Sequence, residues 1–331
     1  VIGAAGPGFP GRHWDRLSWL ALALAPLALV FGAAVRARRF AFRAGWLRVE
    51  RLPVPVVVVG NLVAGGTGKT PLVLWLVAAL RARGFRPGVV SRGYRGANAV
   101  PKEARPGGAA EEFGDEPLLL AERSGAPVWI GRDRAAAGRA LLAAHPECDV
   151  LVCDDGLQHY RLARDFEIAV EDERGRGNGL LLPAGPLREP GSRPVDAVVL
   201  NGAPPRAGAF AMRLEPAGFH RVGPPGSPIG VDSLRGRRLH AVAGIGNPRR
   251  FFATLEGLGL AFTPHAFPDH HPFAAPDLDY AGCDAVLMTE KDAVKCRRFA
   301  RADLFALRVE ARVDDRLADL IASRIRGSEA P

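Results

Sequence analysis

The chain has 331 residues, 48% hydrophobic and 24% charged, which is enough apolar material for a real core and excludes disordered or collagen-like chains. Its formal charge is +9, from 44 Lys+Arg against 35 Asp+Glu, yet only Lys69, Lys102, Lys291 and Lys295 are lysines. A basic excess carried by arginine suits a nucleotide, a phosphorylated substrate or an anionic membrane, and is weak support for nucleic acid. Cys148, Cys153, Cys283 and Cys296 lack CxxC spacing and are too sparse for a disulfide framework or a zinc site, so a reducing compartment is the default.

Residues 1 to 11 read as a flexible start. Next comes LSWLALALAPLALVFGAAV (17–35), nineteen uncharged residues, close to the roughly 20 a helix needs to cross a bilayer. Pro26 is expected to kink or break such a helix, and a helix lying in one leaflet fits as well as a span. Arg36, Arg38, Arg39, Arg43, Arg48 and Arg51 follow, a cluster that the positive-inside rule places in the cytoplasm beside anionic headgroups. A cleaved signal peptide or a buried helix of a soluble core would share this composition, but export would carry a nucleotide-binding loop into a compartment without ATP.

That loop is the strongest local signal. An apolar run, Val54 to Val59, leads into Gly60-Asn61-Leu62-Val63-Ala64-Gly65-Gly66-Thr67-Gly68-Lys69-Thr70 and then the helical pattern PLVLWLVAALRARG. Strand, glycine loop and helix occur in the order a P-loop requires, so the backbone of residues 63–70 is expected to cradle nucleotide phosphates. Lys69 would reach the outer phosphates and Thr70 would ligate Mg²⁺. Pro71 costs little in the first helical turn. Val63 stands where the usual pattern has glycine, and Gly65 and Gly66 can supply the flexibility instead. A P-loop also needs an acid at a neighbouring strand end. Cys148 to Asp155 provides it, with Asp154 the better magnesium candidate and Asp155 able to share the ion, orient water or hold a basic neighbour.

Further strands are expected near 86–90, 127–130, 149–153, 166–170 and 196–200, with helices between several of them, the alternation of a parallel α/β sheet. A Pro/Gly-rich stretch precedes a second α/β set starting at Leu239. The expected organisation is an arm (1–50), a P-loop core (51–201), a linker (202–235) and a smaller C-terminal α/β domain (236–331). No nucleic-acid module or aromatic interleaving accompanies the arginines, so no nucleic-acid partner is expected, and no obligate protein partner is inferred.

Several polar clusters fall where strand ends of such a sheet present chemistry: 91–96, 114–117, 131–134, 155–159, 183–190, 269–271 and 289–292. Each is weak alone. Asp115 reads by itself as a helix N-cap, His270 and His271 as surface histidines, Arg188 equally as an ion-pair partner, and Thr289-Glu290-Lys291-Asp292 as little more than a strand-end turn.

Together, however, VVVVGNLVAGGTGKTPLV, RPGVVSRGYRG, GDEPLLLA, VLVCDDGLQHYRLARD, LLPAGPLREP, AGIGNPRRFF, FPDHHPF and LMTEKDAVKC closely resemble the tetraacyldisaccharide 4'-kinase family, the lipid A 4'-kinases, in family order across about residues 54–296. That family's loop also lacks the first glycine. The resemblance implies a P-loop core, a smaller C-terminal domain, a membrane-associated N-terminal helix, and transfer of the γ-phosphate of ATP to the 4'-hydroxyl of an acylated glucosamine disaccharide 1-phosphate at the cytoplasmic face of the inner membrane. By resemblance Lys69 and Thr70 hold phosphates and Mg²⁺, Asp154 helps hold the metal, and Asp115 is the base, paired with a histidine of the DHH segment, His270 in preference to His271. Glu116, Asp155, His159 and Arg188 map to active-site motifs without secure individual roles. The rival classes are a membrane-associated P-loop GTPase or ATPase switch, which leaves GDEP and DHH unexplained, and a kinase or ligase for a soluble metabolite, which leaves the apolar arm unexplained.

Overall fold

A valine run with every residue buried needs cover on both faces, and Val56–Gly60 has it at the centre of a large sheet. The computed structural model describes residues 11–93, 100–223, 228–299 and 301–327, so the expected flexible start up to residue 10 and Tyr94, Arg95 and Gly96 of one polar cluster lie outside the described residues. In chain order the elements are α1 (Gly11–Trp14), α2 (Trp19–Arg43), β1 (Val56–Gly60), α3 (Lys69–Ala82), β2 (Pro87–Ser91), β3 (Lys102–Ala104), α4 (Ala110–Phe113), α5 (Asp115–Ser124), β4 (Val128–Ile130), α6 (Arg134–Ala144), β5 (Val150–Asp154), β6 (Phe166–Asp172), β7 (Ala197–Asn201) and β8 (Phe210–Arg221). They continue with β9 (Leu239–Ala243), α7 (Pro248–Gly257), β10 (Phe262–Ala266), β11 (Ala285–Thr289), α8 (Glu290–Cys296), β12 (Leu304–Val313) and α9 (Arg316–Arg326).

The strands join one sheet in the order β10-β9-β11-β12-β8-β7-β6-β1-β5-β2-β4-β3. Pairing is parallel except at β8/β12 and β3/β4. β1 lies between β5 and β6, with Val59 opposite Asp154, so the loop after β1 and the acids ending β5 emerge side by side. Such a strand-end crevice is where open α/β sheets bind ligands. Apolar residues of α3, including Leu72, Leu76 and Leu80, cover one face of β1, β5 and β6. Helix α9 joins the same cluster. Its Leu317, Ile321 and Ile325, spaced i, i+4, i+8, are fully buried there, so this helix packs on the first half rather than beside β9 and β11. A separate cluster, with Phe219, Leu239, Phe251, Leu255 and Phe305, fills the C-terminal half.

Residues 202–235, expected as a linker, differ from that expectation: they contain β8, a twelve-residue strand pairing with β7 at its start and with β12 along its length. Pro216 and Gly218 disguise it in the sequence. Pro216 is tolerated because it faces Val309, where the ladder shifts register between Leu307 and Val309.

In the arm, α2 continues through Pro26, so the proline does not break it. Ser18 caps it, its Oγ accepting from Ala21 N at 3.2 Å. Ala21, Ala28 and Gly32 form its buried face, and a Cβ on Gly32 would lie 2.7 Å from Leu181 Cδ1, so a larger residue there requires Leu181 to move aside. Farther along, Arg38 donates to the Gln158 carbonyl at 3.4 Å and Phe42 packs on Tyr160. The opposite face leaves Trp19, Leu22, Leu27, Leu29 and Val30 exposed.

Candidate active site

Asn61, fully buried after β1, organises the loop: its Nδ2 donates to the Gly65 carbonyl at 3.0 Å and its Oδ1 accepts from Lys69 Nζ at 3.3 Å. Gly65 and Gly68 adopt φ of +98° and +89°, a region side chains resist. A Cβ on Gly68 would also collide with Asn201, whose Nδ2 donates to the Thr67 carbonyl at 2.9 Å. Val63 bridges to Leu187, and Ala64 N donates to the Pro186 carbonyl at 2.8 Å, so these two anchor the loop's outer limb. Gly66, Thr67, Gly68, Lys69 and Thr70 line a cavity of about 630 Å³ at the N-terminus of α3, where helix polarity and amide groups favour an anion. The C-terminal half supplies the other wall through Gly246, Asn247, Arg250 and Lys291.

Asp154, at the end of β5, is 1% exposed; its Oδ2 accepts from Ser91 Oγ at 3.2 Å, while its Oδ1 has no partner among the described residues. Burial first, then the charge of Glu116, push its carboxyl up to about 7 in spite of Lys69. A buried carboxylate oxygen without a partner, on the strand paired with β1 just before the P-loop, is suited to a hard divalent cation, and Thr70 lies in the first turn of the helix that follows the loop. Asp155, in a left-handed conformation (φ 49°), meets Lys69 Nζ at 3.5 Å and Arg188 Nη1 at 3.3 Å. Burial would raise its pKa, but these cations hold it below the usual carboxylate range. Arg188 is thus an ion-pair partner within the cluster, also approaching Asn61 Oδ1 at 3.5 Å.

His159 lies elsewhere. Its Nε2 accepts from Arg134 N at 3.2 Å at the start of α6, and burial followed by the Arg134 charge pushes it down to about 4, so it serves there as a neutral helix cap.

Asp115 is the first residue of α5, with Gly114 rather than Asp115 at the cap. It is 4% exposed and accepts from Glu116 N at 3.0 Å. His270 Nδ1, from the C-terminal half, reaches Asp115 Oδ2 at 3.0 Å, and Lys295 Nζ stands 3.7 Å away. Burial alone would raise Asp115, but the His270 hydrogen bond with Lys291 and Lys295 lowers it to about 2, and the same bond raises His270. His271 turns away to Asp277 Oδ2 at 2.9 Å and stacks on Phe267. The choice between the two histidines therefore falls on His270.

Glu116 pairs with Lys291 Nζ at 2.9 Å, and Lys291 also stands 3.5 Å from Asp269 Oδ1. The 289–292 segment is thus far more than a turn. Thr289 caps α8, Asp292 is fully buried and accepts from Gly244 N at 3.0 Å, and Lys295 lies 2.8 Å from Asp292 Oδ1. Sequence reasoning gives Lys291 little weight and misses Lys295 and Asn61. The available signal is compositional, since two of the chain's four lysines fall four residues apart in this helix.

A P-loop facing buried acids, with a second half closing over both, defines a nucleoside-triphosphate-dependent phosphotransferase. The family described as Tetraacyldisaccharide-1-P 4'-kinase matches residues 20–326, and the chain belongs to it. It is 52% identical over 327 residues to the tetraacyldisaccharide 4'-kinase of Azoarcus sp. (strain BH72), covering 96% of each chain. It is 53% identical over 298 residues to that of Alkalilimnicola ehrlichii, covering 89% of each. Its structure is similar to the crystal structure of LpxK from Aquifex aeolicus in complex with ATP, with a TM-score of 0.79 and 29% identity, covering 92% of this chain and 99% of that one. These findings favour the kinase over the P-loop switch.

Proposed function

We propose that the chain transfers the γ-phosphate of ATP to the 4'-hydroxyl of tetraacyldisaccharide 1-phosphate, a step of lipid A biosynthesis, with Asp115 and His270 as the proton-accepting pair. The observation that carries this reading is one cavity floored by Gly66 to Thr70 and walled by Glu116 and Lys291, with the Asp115–His270 contact immediately beside it. Asp115 is ionised at neutral pH, and its pairing with His270 fixes the carboxylate where an incoming hydroxyl would meet it. Lys69 and the loop amides hold the outer phosphates. Thr70 and Asp154 would hold Mg²⁺, which when bound neutralises phosphate charge. Asp155 and Arg188 keep Lys69 and Asn61 aligned from the side. Because Asp115 and His270 belong to different halves, closure assembles the pair, and we take the P-loop half together with α9, and the C-terminal half between β8 and β12, as the two parts that move.

The lipid acceptor accounts for the arm. With Ala21, Ala28 and Gly32 against the body, the apolar face bearing Trp19, Leu22 and Leu29 is free to enter a leaflet, and the arginines that follow would meet anionic headgroups on its cytoplasmic side. The test is transfer of label from γ-labelled ATP, with Mg²⁺, to detergent-dispersed disaccharide 1-phosphate lipid. A labelled lipid bisphosphate, lost in Lys69→Ala and Asp115→Ala, is expected. Label released only as free phosphate, at the same rate without lipid, would sink the reading and restore the switch.

A further inference from the structure

The chain carries 44 Lys+Arg but four lysines, and three of them, Lys69, Lys291 and Lys295, converge on the cleft. Lys102 alone stands outside, paired with Glu112 at 3.0 Å. In a chain whose default base is arginine, lysines gathered in one place mark positions that need a compact ammonium rather than a planar fork. Lys69 has its motif and Lys295 is enclosed by Asp292 and Asp115. Lys291 also pairs with acids but, unlike Lys295, faces the cavity. It lines the same cavity as the P-loop, from the opposite half, with its side chain 17% exposed. Of its three ammonium donors, Glu116 at 2.9 Å and Asp269 at 3.5 Å can take two, which leaves one for a group in the cavity. Glu116 and Asp269 also fix where that donor points.

In phosphoryl transfer the charge spreads over three equatorial oxygens, and a P-loop lysine approaches them from one side only; a second cation is the usual complement. We propose that Lys291 is a catalytic residue whose ammonium contacts the γ-phosphoryl group opposite Lys69. The inference rests on reading the cleft as an ATP site. As the acceptor oxygen bonds to the γ-phosphorus, the bond from that phosphorus to the β,γ-bridging oxygen breaks, its electron pair leaves with ADP, and the hydroxyl proton passes to Asp115. Lys291 keeps its proton throughout. Although burial opposes its charge, Glu116, Asp115 and Asp269 hold it above the ordinary lysine range.

The experiment compares the affinities of ATP and ADP, with Mg²⁺, and the rate of lipid phosphorylation at saturation in the full chain, in Lys291→Met and in Lys291→Arg. A contact to the γ-phosphoryl predicts that Lys291→Met loses tenfold or more in ATP affinity while ADP affinity changes less than threefold. It also predicts that Lys291→Met slows the saturated transfer rate by two orders of magnitude or more, and that Arg restores only a small part of it. Equal losses for ATP and ADP, or none, would overturn it, because a lysine that merely balances Glu116 cannot distinguish the two nucleotides. Retained ADP binding reports an intact fold. Should Lys291→Met bind neither nucleotide, the double variant Glu116→Gln/Lys291→Met, which leaves no Glu116 charge unpaired, gives the same ratio. A wild-type chain that binds neither nucleotide would defeat the ATP-site reading itself. A wild type that transfers phosphate while Lys291→Met matches it defeats only this inference.

Discussion

Asp115 and His270 stabilise each other's charged forms, and the sign of that coupling can be measured. His270 lies above its ordinary 6.5, so its contribution is complete below pH 6.5 and is lost as pH rises through its folded-state value. Asp115 lies at about 2 against an ordinary 3.8, so its contribution is intact above pH 3.8 and lost only in strong acid. Thermal unfolding of the wild type and Asp115→Asn between pH 6 and 9 should therefore show a gap that narrows as pH rises. The same variant should transfer phosphate about 10²- to 10⁴-fold more slowly, the usual range for loss of a general base. Asp154 carries the opposite sign. With its carboxyl pushed up to about 7, nucleotide binding with Mg²⁺ at pH 6 should release a proton that it does not release at pH 8. Calorimetry in two buffers of different ionisation enthalpy reads this, and Asp154→Asn should abolish it. Lys69 and Asp154 can be picked out in the sequence because each sits in a short local pattern, the glycine loop before a helix and an apolar run ending in acids. Lys295 is not. Its role depends on Asp115, far away in the chain, and no local pattern encodes a contact between α8 and α5.

At the scale of elements, α2 leaves an apolar face exposed on one side, as membrane association would need, and buries Ala21, Ala28 and Gly32 against the body on the other. Replacing Leu22 and Leu29 by serine should weaken binding to anionic vesicles by at least about tenfold, since each exposed leucine can gain about 1.5–3 kcal/mol on full burial. Unchanged vesicle binding, measured by co-sedimentation, would detach this face from the membrane. The strands of the first half are readable because short valine-rich runs bounded by glycine and acids have few other structures open to them. β8 is hidden for a physical reason, since a strand held mainly by one long antiparallel partner can absorb proline and glycine at a register shift that periodicity does not anticipate. At Pro26 the break does not occur: a helix pinned along one face by Ala21, Ala28 and Gly32 stays continuous despite one missing backbone donor.

Across the whole molecule the two halves are not consecutive in the chain. Helix α9 returns to the first core, where Ile321 is fully buried beside Leu317 and Ile325. Ile321→Ala should cost about 2–5 kcal/mol in chemical denaturation and lower the unfolding midpoint, although the residue lies far from the cleft in sequence and touches no catalytic group. The passage outward runs along β8 and the passage back along β12, two strands of one antiparallel pair. Where they part, Val222 N donates to the Leu304 carbonyl at 2.9 Å, so the chain leaves and re-enters at a single point. In topological terms the C-terminal half is the greatly enlarged tip of a β-hairpin whose stem begins in the P-loop half, with Met212 and Ala311 in that core, and ends in the C-terminal half, with Phe219 and Phe305 in the other. A segment with adjoining ends can be exchanged for a short turn without strain on its host. Joining residue 214 to residue 311, which face each other in the stem where it enters the first core, through Asn-Gly should therefore leave a cooperatively unfolding protein that has lost His270 and Lys291 and with them all phosphate transfer to lipid, as scanning calorimetry and the labelled-ATP assay would register.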